Sequence, residues 1–180
     1  MDDGLIDALT EAQRLGFLGA RPIPEVIEHA GAFVEGLNGL SAGSRVIDLG
    51  SGGGVPGLVI ASARPDLRVI LLDRRTKRTD FLERIVRRLG WTERVSVTAA
   101  DVATFHPGSL FDAAVARGFG PPAETLAAAA RLVRVGGRVV ISEPPTGDRW
   151  KADVLARAGV ERVGGPSIHV AVFVRLDGSD

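Results

Sequence analysis

From residue 45 onward, short runs of aliphatic and β-branched residues alternate with longer stretches in which apolar positions recur every three or four residues. The short runs predict strands at 45–49, 68–73, 95–99, 112–116 and 138–142, and the longer stretches predict helices at 56–63, 76–89, 122–132 and 148–158. In the second helix Phe81, Leu82, Ile85, Val86 and Leu89 form one stripe, Gly90 supplies the C-terminal stop, and the outer face is left to arginines. Strand and helix in strict alternation build a parallel sheet with helices on both faces. Two further β runs, 160–163 and 168–176, flank Gly164-Gly165-Pro166-Ser167; a connection this short cannot join parallel neighbours, so it predicts a C-terminal antiparallel hairpin. Residues 5–15 and 24–37 are two helical stretches with no strand between them, expected as a short N-terminal extension (1–40) on a core at 45–176, the whole chain 1–180 forming a single domain.

Composition narrows the class. With 180 residues, 45% of them hydrophobic and 24% charged, the chain has enough apolar surface for one globular core. The absence of cysteine excludes disulfides and thiolate metal sites, and no metal is expected. Met1-Asp2-Asp3 lacks the basic start of a signal peptide, and no apolar run approaches the roughly 20 residues of a membrane span. The expectation is a soluble cytoplasmic protein with no membrane partner. Twenty-two basic residues balance 22 acidic ones, so any face that meets nucleic acid must be local. The basic cluster is Arg74, Arg75, Lys77, Arg78, Arg84, Arg87 and Arg88. Arg87 and Arg88 suit a solvated face at the negative end of a helix, whereas Arg74 to Arg78 stay open as a phosphate-tracking patch.

The chemistry concentrates at Val46-Ile47-Asp48-Leu49-Gly50-Ser51-Gly52-Gly53-Gly54-Val55-Pro56-Gly57, where a strand reaches an acid, dissolves into glycines and restarts as a helix, Pro56 presetting its first φ. Five glycines in eight residues exceed what a bare turn requires, and they let a ligand approach the backbone. The second strand ends at Asp73, where a carboxylate can accept both ribose hydroxyls of an adenosine-containing cofactor. Gly52-x-Gly54-x-x-Gly57 also fits NAD spacing, but Asp48 would repel a pyrophosphate and favours a zwitterionic sulfonium tail. The chain has no tyrosine for a hydride-transfer motif, no Gly-Lys-Ser/Thr after the glycines, and no room for a separate substrate domain. S-adenosylmethionine is therefore the expected cofactor. A mostly parallel, seven-stranded α/β sheet ending in an antiparallel hairpin is the architecture expected of a Rossmann-like class I methyltransferase.

The stretch 47–57, Leu71-Leu72-Asp73 with Lys77-Arg78 and Phe81-Leu82, and Phe111-Asp112 leading to Ala116-Arg117-Gly118-Phe119 resemble the bacterial GidB-type methyltransferases over about 45–142. The resemblance implies methylation of guanine N7 in small-subunit ribosomal RNA, with that RNA as partner. It implies that Gly50 and Val55 line the cofactor, Asp73 holds the ribose, Val102 and Ala103 flank the adenine, and Arg117 sits at the site mouth. The full cofactor-binding set expected is Asp48, Gly50, Ser51, Gly52, Val55, Asp73, Arg74, Asp101, Val102, Ala103 and Arg117, with Arg117 also the candidate catalytic residue. Asp101 can accept from the adenine amine or cap the turn that follows it. Arg117 can serve the cofactor carboxylate or a substrate phosphate, or pair with a nearby acid. His29 is expected as a surface or packing residue. Relative to the family, the N-terminal region is shortened, its Asn-Leu-Thr element is missing, its Arg-His pair reads Glu28-His29, and a Lys-Gly after the fifth strand becomes Ser142-Glu143-Pro144-Pro145, so acids replace charges that could meet RNA. The same core would also serve a methyltransferase of small molecules or proteins, or a noncatalytic cofactor-binding module.

Overall fold

The computed structural model describes residues 3–143, 149–164 and 169–177. Seven strands, β1 (Arg45–Leu49), β2 (Arg68–Asp73), β3 (Val95–Ala99), β4 (Phe111–Ala116), β5 (Val133–Ser142), β6 (Val160–Val163) and β7 (Val170–Arg175), form one sheet in the order β3-β2-β1-β4-β5-β7-β6. β1 to β5 run parallel, and β7 is antiparallel to both β5 and β6. The order reverses beside β1, which places β1 and β4 at the crevice where open α/β sheets bind ligands. This is the expected sheet and hairpin; the turn residues 165–168 and Pro144-Pro145 lie outside the described residues.

Alternation along the strands sends side chains to two cores. Val46, Val69, Leu71, Ala113 and Val140 face α1 (Asp3–Arg14), α2 (Ile23–Gly36), α3 (Gly57–Ala63) and α4 (Thr76–Arg88). Ile47, Leu49, Leu72, Ala114 and Val139 face α5 (Pro122–Leu132) and α6 (Ala152–Ala158). The two N-terminal helices supply Leu5, Ala8, Leu9, Val26 and Phe33 to the first core. Glu11 of α1 binds Arg84 at 2.6 Å and Arg88 at 2.9 Å on α4, so part of the basic cluster fastens the N-terminal helix. α4 ends as expected at Gly90 (φ +70), with Trp91 N donating to Val86 O at 3.0 Å.

Two boundaries differ from the sequence expectation by more than two residues. β5 starts at Val133, not 138, because the strand absorbs Gly136-Gly137 in a register shift: Phe111 pairs with Val133, and Ala113 with Arg138. A Cβ at Gly137 would lie 2.7 Å from Asp112 O and against Val133, so the bulge requires glycine. α6 starts at Ala152 rather than 148; Asp148 is outside the described residues, Lys151 is extended (φ −63, ψ 147), and Arg149 and Trp150 are held elsewhere, as described below. At the far end of α5, Arg175 Nη1 of β7 donates to Ala130 O at 3.0 Å, which also accepts the Val133 amide, and to Val133 O, tying β7 to the helix end.

α2 seats on the sheet through Gly36, where a Cβ would lie 2.9 Å from Val140 Cγ1 and 3.3 Å from Val172 Cγ2, whereas nothing lies within 4 Å of a Cβ at Gly31. Gly31→Ala is expected to raise stability by up to about 1 kcal/mol, the gain from replacing glycine in a helix interior. Gly36→Ala is expected to lower it by about 1–3 kcal/mol through overpacking. Thermal melts of the two variants check the opposite signs.

Candidate functional site

At the end of β1 the chain turns back through Gly50 (φ +69), and the amides of Gly50 and Ser51 both donate to Leu72 O, at 2.8 and 3.0 Å, fastening the loop to β2. Asp48 is fully buried behind this loop; its Oδ2 accepts from Gly57 N at 3.1 Å, while Oδ1 finds no donor among the described residues. α3 begins at Gly57, one residue later than the sequence suggests, with Pro56 as the cap residue, because the Gly57 amide is turned onto Asp48. A Cβ on Gly57 would lie 2.6 Å from Asp48 Oδ2 and inside Leu71, so this position admits only glycine. Burial pushes the Asp48 carboxyl up to about 7, against the opposing pull of Ser51, the Gly57 amide and the charge of Arg117.

Asp73, 5% exposed, ends β2 with both oxygens placed: Oδ2 accepts from Gly52 N and Oδ1 from Arg75 N, each at 2.9 Å, with Arg78 Nη1 3.7 Å from Oδ2. Each carboxylate oxygen keeps a further lone pair. In front of it opens a cavity of about 490 Å³ whose wall includes Gly50, Asp73, Arg74, Asp101, Val102 and Phe119. Asp101 caps the turn Val102–Thr104 by accepting from Ala103 N at 3.0 Å, and its Oδ2 lies 3.6 Å from Arg74 Nη1, so capping engages only one of its oxygens. Phe119 packs on Gly50, where a Cβ would approach its ring to 2.7 Å. A paired carboxylate with spare acceptor sites, an unmatched buried oxygen behind the loop and a glycine cradle fit an adenosine-bearing zwitterion.

Of the expected residues, Gly50, Asp73, Arg74, Asp101 and Val102 line this cavity. Gly52 and Ala103 act through their amides on Asp73 and Asp101, and Asp48, Ser51 and Val55 are buried. Arg117 opens instead onto a second cavity of about 260 Å³, shared with Leu18, Arg21 and His29. Sequence reasoning did not single out Phe119, Arg78 as a wall residue, or Arg21; the glycines on either side of Phe119 were the one available signal.

The acid after the fifth strand does not face solvent. Glu143 is enclosed: its Oε2 accepts from Trp150 Nε1 at 2.6 Å, Arg149 Nε lies 3.3 Å from Oε1, and Arg162 Nη2 lies 3.6 Å from Oε2, leaving its side chain 5% exposed. The acid that stands where the family has a basic residue is thus not a free negative charge at this edge: two guanidiniums surround the one carboxylate.

Asp48 binds a proton in the folded chain up to about pH 7, whereas unfolded it ionises near 3.8, so its contribution to stability is full below 3.8 and is lost as the pH rises through 7. Asp48→Asn removes this dependence. Between pH 5 and 7 the melting temperature of the native chain is expected to fall relative to the variant, at up to about 1.4 kcal/mol per pH unit, and to run parallel with it above pH 8. Melts of both proteins across that range would expose a constant offset if Asp48 were ionised throughout.

The family model described as "GidB: rRNA small subunit methyltransferase G" matches residues 6–145. The ribosomal RNA small subunit methyltransferase G of Thermobifida fusca is 35% identical over 173 residues, covering 88% of this chain and 70% of that protein. Its counterpart in Chromobacterium violaceum is 40% identical over 101 residues, 56% of this chain and 48% of that protein. The chain spans about half the length of several such curated relatives. Among solved structures, an S-adenosylmethionine-dependent methyltransferase from Thiobacillus denitrificans in complex with S-adenosyl-L-homocysteine superposes with a TM-score of 0.55 at 25% identity, covering 72% of this chain and 53% of that one. The fold is that of class I methyltransferases, and the chain belongs to the GidB family of small-subunit ribosomal RNA methyltransferases.

Proposed function

We propose that the protein is an S-adenosylmethionine-dependent methyltransferase acting on guanine N7 of small-subunit ribosomal RNA. The observation that carries the reading is Asp73, held by two backbone amides at the rim of the 490 Å³ cavity, with Asp48 buried behind the same glycine loop. Asp73 would accept the two ribose hydroxyls, Val102 and the capped turn after Asp101 would border the base, and Asp48, once it loses its proton near pH 7, would favour the cationic end of the amino-acid tail through the loop. The bound cofactor supplies a methyl carbon already activated by its sulfonium.

Guanine N7 carries a lone pair and no proton, so the chain needs no general base; its task is to align the acceptor, exclude water and place charge. A base taken from folded RNA must be unpaired or flipped to enter such a cavity. Arg74, Arg75 and Lys77 are exposed beside the cavity and Arg74 lies in its wall, which gives a net-neutral chain a local basic rim for the phosphate backbone. Glu11 engages Arg84 and Arg88 away from the cavity, whereas this rim lies beside it.

Asp73→Ala is expected to weaken S-adenosylmethionine binding by about 10- to 100-fold, the loss of charge-assisted bonds to two hydroxyls, as read by isothermal titration. Small ribosomal subunits from a strain lacking the gene, incubated with the protein and cofactor, are expected to gain one 7-methylguanosine by nucleoside mass spectrometry. Tight cofactor binding with no methylated ribosomal RNA would redirect the reading to a small-molecule or protein acceptor.

A further inference from the structure

The second cavity shares no wall residue with the first, yet Arg117 on its wall immediately precedes Gly118 on the wall of the other, so the two flank the end of β4. Its other basic residue comes from the connector between α1 and α2. That connector is held in place: Gln13 Nε2 donates to the carbonyls of Gly19 and Arg21, at 2.6 Å each, and Phe17 and Leu18 press on Gly53 so closely that a Cβ there would lie 2.9 Å from Phe17 O. Arg21 Nη1 in turn donates to His29 Nδ1 at 2.9 Å, and the His29 ring packs on His169 at 4.5 Å. Accepting through Nδ1, His29 orients Arg21 without neutralising it.

Two guanidiniums therefore converge on one small cavity. Burial depresses the pKa of Arg117; the charge of Asp48 opposes that shift, and Arg21, as like charges do, adds to it by a smaller amount. Among the described residues neither guanidinium is in ion-pair contact with a carboxylate, and buried Asp48 acts on Arg117 only at longer range. Two like charges on the wall of one small cavity favour an anion that joins them, and guanidinium forks match phosphate geometry. The carboxylate of a cofactor tail would bring its own ammonium next to both arginines, whereas a phosphodiester brings negative charge alone.

We propose that Arg21 and Arg117, with His29 as the positioning residue for Arg21, form a subsite for the phosphate group of the acceptor nucleotide. The subsite rests on the RNA reading above and deepens it: it fixes the backbone of the nucleotide whose base enters beside β4.

The test compares the native chain with Arg21→Ala, Arg21→Lys and, as a distant control, Arg157→Ala. Binding of a fluorescein-labelled single-stranded RNA of small-subunit sequence is followed by anisotropy across a salt series, and S-adenosyl-L-homocysteine binding by titration calorimetry. Arg21→Ala is expected to weaken RNA binding about tenfold at low salt and to flatten the log–log salt slope by about 1, while cofactor binding stays within about twofold; Arg21→Lys keeps the slope. Arg21 is exposed, so the melting temperature should hold. An unchanged slope and affinity in Arg21→Ala overturns the subsite and leaves the methyltransferase reading standing, and a loss confined to cofactor binding reassigns the pair to the cofactor carboxylate and likewise overturns it. If the native chain binds no RNA, the RNA reading fails; the phosphate subsite then survives only if nuclear magnetic resonance titrations show guanosine 5′-monophosphate preferred over guanosine in an Arg21-dependent way, and is overturned if they do not.

Discussion

The hydrogen bond from the Gly57 amide to Asp48 Oδ2 joins the end of β1 to the start of α3, and the glycine loop between them takes its shape from that closure. The bond is possible because residue 57 has no side chain: Asp48 and Leu71 already fill the space a Cβ would need. With both ends of the loop fixed, the intervening amides are aimed outward, Gly50 and Ser51 to the end of β2 and Gly52 to Asp73. The amide that meets Asp73 is thus aimed by a bond on the buried side of the loop. A carboxyl enclosed without full hydrogen bonding is costly, and the proton it retains up to near neutrality is how the fold tolerates it.

The two acids of the site differ in the company they keep. Asp73 has a backbone amide on each oxygen and a guanidinium within reach. Asp48 has one amide and an unmatched oxygen. The same logic of enclosure recurs at Glu143, where Trp150, Arg149 and Arg162 take up a carboxylate at the end of β5. At the crevice, then, acids are covered by backbone amides, an indole or guanidiniums, while Arg74 and Arg75 at its rim remain exposed.

Much of this was legible in the sequence. Alternating apolar periods located five parallel strands and the final hairpin, and the acids at the ends of β1 and β2 marked the crevice, because both signals are local in the chain. What was not legible depends on distant partners. Glu143 read as an acid facing a polyanion because nothing in its surroundings reveals that Trp150 and Arg162 fold over it. Gly136-Gly137 lie just before the strand expected at 138–142, yet the chain passes through them as a bulge, since Asp112 on the adjacent strand leaves room for no side chain at 137. Residues 28–29 read as a departure from an Arg-His pair, while Arg21, eight positions earlier, supplies the guanidinium to the same histidine. Helical periodicity located 24–37 but carried no information about the connector before it, whose course Gln13 decides.

The carbonyls at the end of α5 are collected by Arg175, a residue of β7 more than 40 positions downstream. A helix near the middle of the chain is therefore finished by its last strand, and that strand also separates β5 from β6. During synthesis, the first half of the sheet can pair as it leaves the ribosome, because β1 to β4 lie beside strands already made or soon to follow. The second half has no such option: β5 keeps an open edge, and the end of α5 lacks its guanidinium donor, until residue 175 has emerged. For this chain, folding of the cofactor half and closure of the sheet are separated in time by the order of translation itself.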